Sequence, residues 1–231
     1  MARALVAVYL SARVTGRNNV PRRGPVILAA NHLSFLDGPL VLAVAPRGVF
    51  FLIKEALARG AGGKILLAAG QIPIYHGHGH EALEAALGEL RLGRAVGIFP
   101  EGTRRTGHVG RIHAGVAWLA VRSGAPVIPV ACLGTRHEGD GVNRFPGFRR
   151  RVAVVFGRPV DLAAPLALAA GTGGPAAGDA RHREHAAISQ AMDLIGEALH
   201  AHVEAAAAMT GIPLPDTGGT LPEAGATPPA P

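Results

Sequence analysis

Between residues 26 and 160 the chain alternates short apolar runs with segments of helix length, and this alternation restricts the fold more than any other feature. Val26–Ala30 lies between Pro25 and Asn31 and reads as a buried strand. Further strands are expected at 49–53, 71–75, 95–99, 126–133 and 152–156. Helices are expected at 39–45, in part of 55–69, at 81–92 and at 112–123. Pro39 suits a first helical turn, and Gly124 suits the end of a helix. Leu83, Leu87 and Leu90 mark one face of the 81–92 helix. Strands separated by helices of this length predict an α/β fold, with a largely parallel twisted sheet flanked by helices.

The flanks of this region differ. Residues 1–20 read as an N-terminal helix, either packed on the domain or lying on a membrane surface. Arg3, Arg13 and Arg17 share one arc of its helical wheel, which favours the membrane; Leu10 and Val14 share the same arc, which opposes it. The apolar run Ala4–Ala12 is too short for a transmembrane span of about 20 residues, and strand-like sequence soon after it disfavours a signal peptide. Residues 21–160 form the expected main domain and 161–180 a loose Ala/Gly/Pro-rich linker. Ile188, Met192, Ile195, Leu199 and Val203 place one long helix at 181–210. Residues 211–231 hold six Pro and four Gly and read as a disordered tail.

Charge narrows the class of partner. Arginine supplies 21 of the 23 basic residues, and the formal net charge is +7. That total hides a split: residues 1–159 carry +13 and residues 160–231 carry −6. Arginine makes bidentate contacts with phosphate, so a nucleic acid, an anionic membrane or a phosphorylated small molecule all fit. The single cysteine, Cys132, rules out an intramolecular disulfide and a cysteine-based zinc site. It lies inside an expected strand and reads as a small buried residue, not a nucleophile. Trp118 reads as core packing in preference to a membrane anchor. Arg149-Arg150-Arg151 lacks the aromatic platform or helix-turn-helix pattern of a nucleic-acid site.

Two segments follow expected strands directly, where open α/β sheets bind their ligands. In Asn31-His32-Leu33-Ser34-Phe35-Leu36-Asp37, His32 suits general-base work near neutral pH and Asp37 could fix its tautomer. Five residues of continuous helix would point the two about 140° apart. A loop bending into a helix brings them together. The alternative is that His32 bonds a loop while Asp37, with Ser34, caps the helix. In Phe99-Pro100-Glu101-Gly102-Thr103-Arg104-Arg105, the glycine, the hydroxyl and two arginines could cradle a phosphate; the alternative is a solvated turn.

Together these segments resemble the first and third motifs of the glycerolipid acyltransferases, and most nearly the 1-acylglycerol-3-phosphate O-acyltransferases (lysophosphatidate acyltransferases). Lys54-Glu55 with Gly70-Gln71-Ile72-Pro73-Ile74 resembles the second motif region, and Val127-Ile128-Pro129-Val130 the fourth. The motifs keep the family's order over about residues 20–160. The resemblance implies an acyltransferase that moves a fatty acyl group from acyl-CoA or acyl carrier protein to the free hydroxyl of lysophosphatidate. The product is phosphatidate, a step of phospholipid biosynthesis. It implies that His32 deprotonates the hydroxyl and Asp37 holds His32. Gly102, Thr103, Arg104 and Arg105 would bind the acceptor phosphate, and Asn31, Ser34 and Glu101 would order the site. No metal or cofactor is needed beyond the acyl donor. The implied partners are a lysophospholipid, an acyl thioester and an anionic membrane surface, with no nucleic acid. The implied location is peripheral, on the cytoplasmic side of the cell membrane.

One departure bears on the acceptor. His76 stands where the family's second motif usually carries a phosphate-binding arginine. A histidine is shorter and makes no bidentate contact. Another lysophospholipid or a glycolipid is therefore an alternative acceptor. A non-catalytic lipid- or nucleic-acid-binding module is the alternative from another class, opposed by the intact His32/Asp37 pair. His76, His78 and His80 could share a strand face, but the glycines between them favour a loop in which only His76 faces the site.

Overall fold

The computed structural model of the protein describes residues 9–102, 112–141, 144–172 and 179–215. The elements in chain order are β1 (Ser11–Thr15), β2 (Val26–Ala30), α1 (Asp37–Val44), β3 (Val49–Lys54), α2 (Gly60–Ala68), β4 (Ile72–Ile74), α3 (Gly79–Arg91) and β5 (Ala95–Ile98), followed by α4 (Gly115–Ser123), β6 (Val127–Leu133), β7 (Arg151–Phe156), α5 (Ala163–Ala170) and α6 (Ala180–Thr210). A short 3-10 turn, Glu55–Ala58, precedes α2.

The seven strands form one sheet in the order β1-β7-β6-β2-β5-β3-β4. Every pairing is parallel except β6 with β7. Both faces are covered, which is why the central strands read as unbroken apolar runs. Ile27, Ala29, Val96, Ile98, Val127 and Ala131 face one layer of helices built from α3, α4 and α6. Val26, Leu28, Ala30, Ile128, Val130 and Cys132 face the other side, where Leu40 and Val41 of α1 and the N-terminal residues Leu10 and Val20 pack.

Three expectations about the flanks are corrected. Residues 11–15, expected in an N-terminal helix, form β1, which extends the sheet beside β7. Its partner lies about 140 residues away in sequence, so no local pattern reports the pairing. Residues 1–8 of that expected helix lie outside the described residues. The expected linker 161–180 contains α5, which packs on α6 through Leu166. The tail begins later than 211, because Ile212 and Leu214 are buried against the core. Residues 216–231, also expected to be disordered, lie outside the described residues.

Helix α6 follows its expected period closely. Asp179 caps it by accepting from the His182 N–H at 2.9 Å, and Gly211 ends it with φ +66°. Ile195, Leu199 and Val203 are fully buried as the pattern predicts. Nearer the start the deepest positions are Ala187 and Ala191, while Ile188 and Met192 flank them half-buried. Small side chains there suit a closely packed helix, and each fully buried Ile, Leu or Val contributes about 1.5–3 kcal/mol.

The topology places a crevice at one point. After β2 the chain crosses β5 to β3, over the α1 face; after β5 it crosses β2 to β6, over the α4 face. Neighbouring strands whose connections leave in opposite directions open a cleft between their carboxyl ends. The loops leaving those two strands are the two segments singled out in the sequence.

Candidate active site

The first loop is anchored before it turns. Asn31 accepts from the Cys132 N–H at 2.7 Å through Oδ1 and donates to the Cys132 carbonyl at 3.1 Å through Nδ2. The amide thus imitates a peptide group and extends the β2–β6 ladder one step beyond the last strand residue. Cys132 is buried, and burial, with the Asp37 charge adding to it, pushes its thiol well above the ordinary range. It is a packing residue, as expected.

The chain then folds around Asp37. His32 Nδ1 lies 2.9 Å from Asp37 Oδ2. The same oxygen accepts from the Leu33 and Ser34 N–H groups, each at 2.7 Å. Asp37 Oδ1 accepts from the Thr135 hydroxyl at 2.6 Å. Ser34 Oγ accepts from the Leu36 N–H at 3.3 Å, and Asp37 starts α1. The loop therefore brings the pair together, while the capping alternative does not match, because the N-cap position of α1 is Leu36 and no side chain caps it. Asp37 satisfies N–H groups of the loop before α1, and by bending that loop it meets the histidine. A carboxylate that accepts from four donors holds the proton of His32 on Nδ1 and leaves Nε2 as the basic nitrogen. Asp37 is fully buried, whereas the His32 side chain keeps 14% of its exposure.

Stacking sets the plane of the imidazole. The His32 ring lies on Phe99 with centroids 4.0 Å apart and planes at 17°. Phe99 lies in turn on Phe51, 5.2 Å away at 25°. The stack continues to the sheet at Gly97, where a Cβ would stand 2.5 Å from the Phe51 ring. Only glycine at that point of β5 leaves room for the ring.

The second loop touches the first. The His32 N–H donates to Glu101 Oε1 at 3.3 Å, so the buried Glu101 ties the two loops together. Gly102 takes φ +67°, its N–H bonds the Phe99 carbonyl at 3.1 Å, and a Cβ there would lie 2.7 Å from His113 Nε2. Glycine is required on both counts. Thr103, Arg104 and Arg105, expected at the acceptor phosphate, lie outside the described residues. His76 is exposed after β4 at the edge of the sheet. That is the same end as His32 but three strand spacings from β2, about 14 Å. His78 and His80 share no strand face with it, since they stand at the start of α3, where His78 bonds Glu81 and His80 lies 3.8 Å from Glu84.

The sequence reading missed Thr135, Phe51 and Gly97, and it quoted Phe99 without a role. Thr135 follows β6, where Gly134 with φ +77° turns the chain past the Arg151 carbonyl. Next to it Arg136 is the largest fully buried side chain among the described residues, but its burial shows only in the structure, so no sequence signal marks this loop.

A family model described as Acyltransferase matches residues 11–133. The 1-acyl-sn-glycerol-3-phosphate acyltransferase of Borreliella burgdorferi is 31% identical over 129 residues, covering 54% of this chain and 52% of that protein. The lyso-ornithine lipid O-acyltransferase of Pseudomonas aeruginosa is 36% identical over 143 residues, covering 60% of this chain and 53% of that one. The chain thus spans about half the length of the curated relatives it matches. The crystal structure of the 1-acyl-sn-glycerophosphate acyltransferase PlsC of Thermotoga maritima superposes with a TM-score of 0.64 at 25% identity, covering 89% of this chain and 76% of that one.

Proposed function

Since the chain belongs to the acyltransferase family, we propose that it moves a fatty acyl group from an acyl thioester to the free hydroxyl of lysophosphatidate, giving phosphatidate in phospholipid biosynthesis. The observation that carries this reading is the His32–Asp37 pair, joined at 2.9 Å in the crevice between β2 and β5. Nε2 of His32 takes the proton of the acceptor hydroxyl as its oxygen attacks the thioester carbonyl. The tetrahedral intermediate collapses, the C–S bond breaks, and the imidazolium returns the proton to the leaving thiolate. The acceptor is itself the nucleophile, so no acyl-enzyme forms and positioning of the two substrates supplies much of the rate. Gly102, Thr103, Arg104 and Arg105 are assigned to the acceptor phosphate, with His76 at the outer edge. Acyl-CoA and acyl carrier protein are both candidate donors. A lipid acceptor places the reaction at a membrane surface, on the cytoplasmic side, where the donors are. Among the described residues no helix is long and apolar enough to cross a membrane.

A second acceptor has specific support. A relative named for lyso-ornithine lipid is 36% identical, and His76 replaces the arginine expected for a phosphate. Acylation of a different lysolipid is therefore the second reading. A matrix of acyl-CoA and acyl carrier protein donors against lysophosphatidate and lyso-ornithine lipid tests both, with thiol release and product mass as readouts. Lysophosphatidate should be the best acceptor, and His32→Ala should abolish release with every pair. Near-normal turnover in that variant would overturn the mechanism; preference for lyso-ornithine lipid would favour the second reading.

A further inference from the structure

We propose that Tyr9, Phe35, Phe145 and Phe148, with the arginines around them, form a docking surface for an anionic bilayer that sets the mouth of the His32 site against the lipid. The proposal rests on the lipid-acceptor reading above and names the surface that reading requires.

The four rings form one cluster. Tyr9 meets Phe145 edge-on at 5.5 Å and Phe148 at 5.8 Å, and Phe35 tilts against Phe145 at 5.9 Å. Phe35 belongs to the turn that carries His32. Yet Phe145 and Phe148 remain 57% and 66% exposed. Grouped exposed aromatics mark an interaction site more often than scattered ones do.

Topology sets this cluster beside the site. β7 runs antiparallel to β6, so the segment joining them lies at the carboxyl end of β6, the end where the crevice opens. β1 is parallel to β7, so Tyr9 enters from that same end. On the other side of the crevice, in the turn that leaves the carboxyl end of β3, Leu57 is exposed. One end of the sheet thus carries apolar side chains on both sides of the reacting groups.

The aromatic side is fixed and positively charged. The Tyr9 hydroxyl donates to the Pro146 carbonyl at 3.1 Å, and the Arg149 N–H to the Tyr9 carbonyl at 2.7 Å. Arg149 takes φ 58°, an uncommon conformation for a side chain of its size that these bonds hold in place. Residues 140–151 contain Arg144, Arg149, Arg150 and Arg151 against the single acid Asp140. Asp140 engages Arg150 at 2.7 Å and Arg144 at 3.0 Å, so the segment keeps a net positive charge.

This chemistry selects a bilayer. Single-stranded nucleic acid stacks its bases along a platform of ring faces, whereas Tyr9 meets Phe145 and Phe148 edge-on and Phe35 tilts at 48° against Phe145, so the rings present no common platform. The one hydroxyl in the cluster is already engaged. Phenyl rings entering the acyl boundary beneath arginines that meet lipid phosphates match the interfacial pattern of membrane proteins.

The test is co-sedimentation of the full chain with vesicles of phosphatidylcholine, alone or with about a third phosphatidylglycerol. The anionic vesicles should bind it better, and added salt should weaken that binding. Phe145→Ser with Phe148→Ser should reduce partitioning about tenfold or more, while thiol release with a dispersed short-chain acceptor stays within about twofold, since neither ring touches the dyad. Phe148→Trp should show a blue-shifted emission on vesicle addition that the parent, with Trp118 alone, lacks. Unchanged partitioning in the double variant, no emission shift, or capture of single-stranded nucleic acid in place of vesicles would overturn the proposal. Failure of thiol release with all lysolipids, with vesicle binding intact, would instead overturn the catalytic reading and leave the surface standing.

Discussion

Thr135 donates its hydroxyl to Asp37 Oδ1 at 2.6 Å across 98 residues of sequence. Asp37 Oδ2 is thereby left to His32 and to the two loop N–H groups. Thr135 touches no reacting atom; it positions the carboxylate that positions the base. Thr135→Val keeps the shape and removes the donor. It should lower kcat roughly 10–100-fold, because small displacements of a reacting group are costly, with KM little changed. Thr135→Ser, which restores the hydroxyl, should recover most of the rate. Equal losses in the Val and Ser variants would assign Thr135 to packing alone.

Asp37→Asn tests the tautomer. An amide presents one acceptor oxygen and one NH2 donor, so it cannot accept all four of the bonds that Asp37 receives. If its NH2 meets Nδ1, the proton of the imidazole moves to Nε2 and the base is lost. Turnover should fall roughly a thousandfold, and stability should fall about 1–3 kcal/mol for buried donors left unpaired. Thiol-release kinetics and urea unfolding read the two effects separately. A kcat loss no larger than that of Thr135→Val would reduce Asp37 to a brace for the loop before α1.

Gly97→Ala tests the stack under His32. The added Cβ would meet the Phe51 ring at 2.5 Å, and that ring is wedged between the sheet and Phe99. Overpacking of this kind costs about 1–3 kcal/mol. The strain is passed through Phe99 to the imidazole, so kcat should fall more than KM rises. Adding Phe51→Leu relieves the clash but removes the platform beneath Phe99. The double variant should therefore regain stability and not turnover; recovery of both would show that the stack has no role in orienting His32.

These relationships show what a sequence can carry. The α/β order was legible because strands buried on both faces are continuous apolar runs, and Val26–Ala30 and Val127–Leu133 are that kind. The His32/Asp37 pair was legible because both residues lie in one seven-residue loop. Thr135 was not, since a threonine after a strand is common and its partner is 98 residues away. Phe51 and Gly97 were hidden for the same reason, as two unremarkable strand residues whose meaning is their mutual contact. β1 was misread because its five residues, half exposed at a sheet edge, have no periodicity strong enough to outweigh the helical reading of the stretch before them.

Away from the site, a half-buried histidine couples stability to pH. His202, on α6, donates from Nε2 to the Val155 carbonyl at 2.9 Å. Burial lowers its pKa below the ordinary 6.5, and the bond to Val155 offsets this only in part. The folded protein therefore holds His202 neutral at a pH where the unfolded chain has begun to bind a proton. The unfolded state then carries more protons, so stability is full above about pH 6.5 and declines as pH falls through and below it. Tm should drop between pH 7.5 and 5.5, by roughly 2–4 °C for each kcal/mol lost. His202→Gln keeps a donor for Val155 and cannot be protonated, so its Tm should decline less over the same range. The difference between the two curves isolates His202 from other groups, including His78, whose pKa is raised by Glu81 and whose contribution has the opposite sign. Parallel curves for parent and variant would show that His202 takes up its proton equally well in the folded chain.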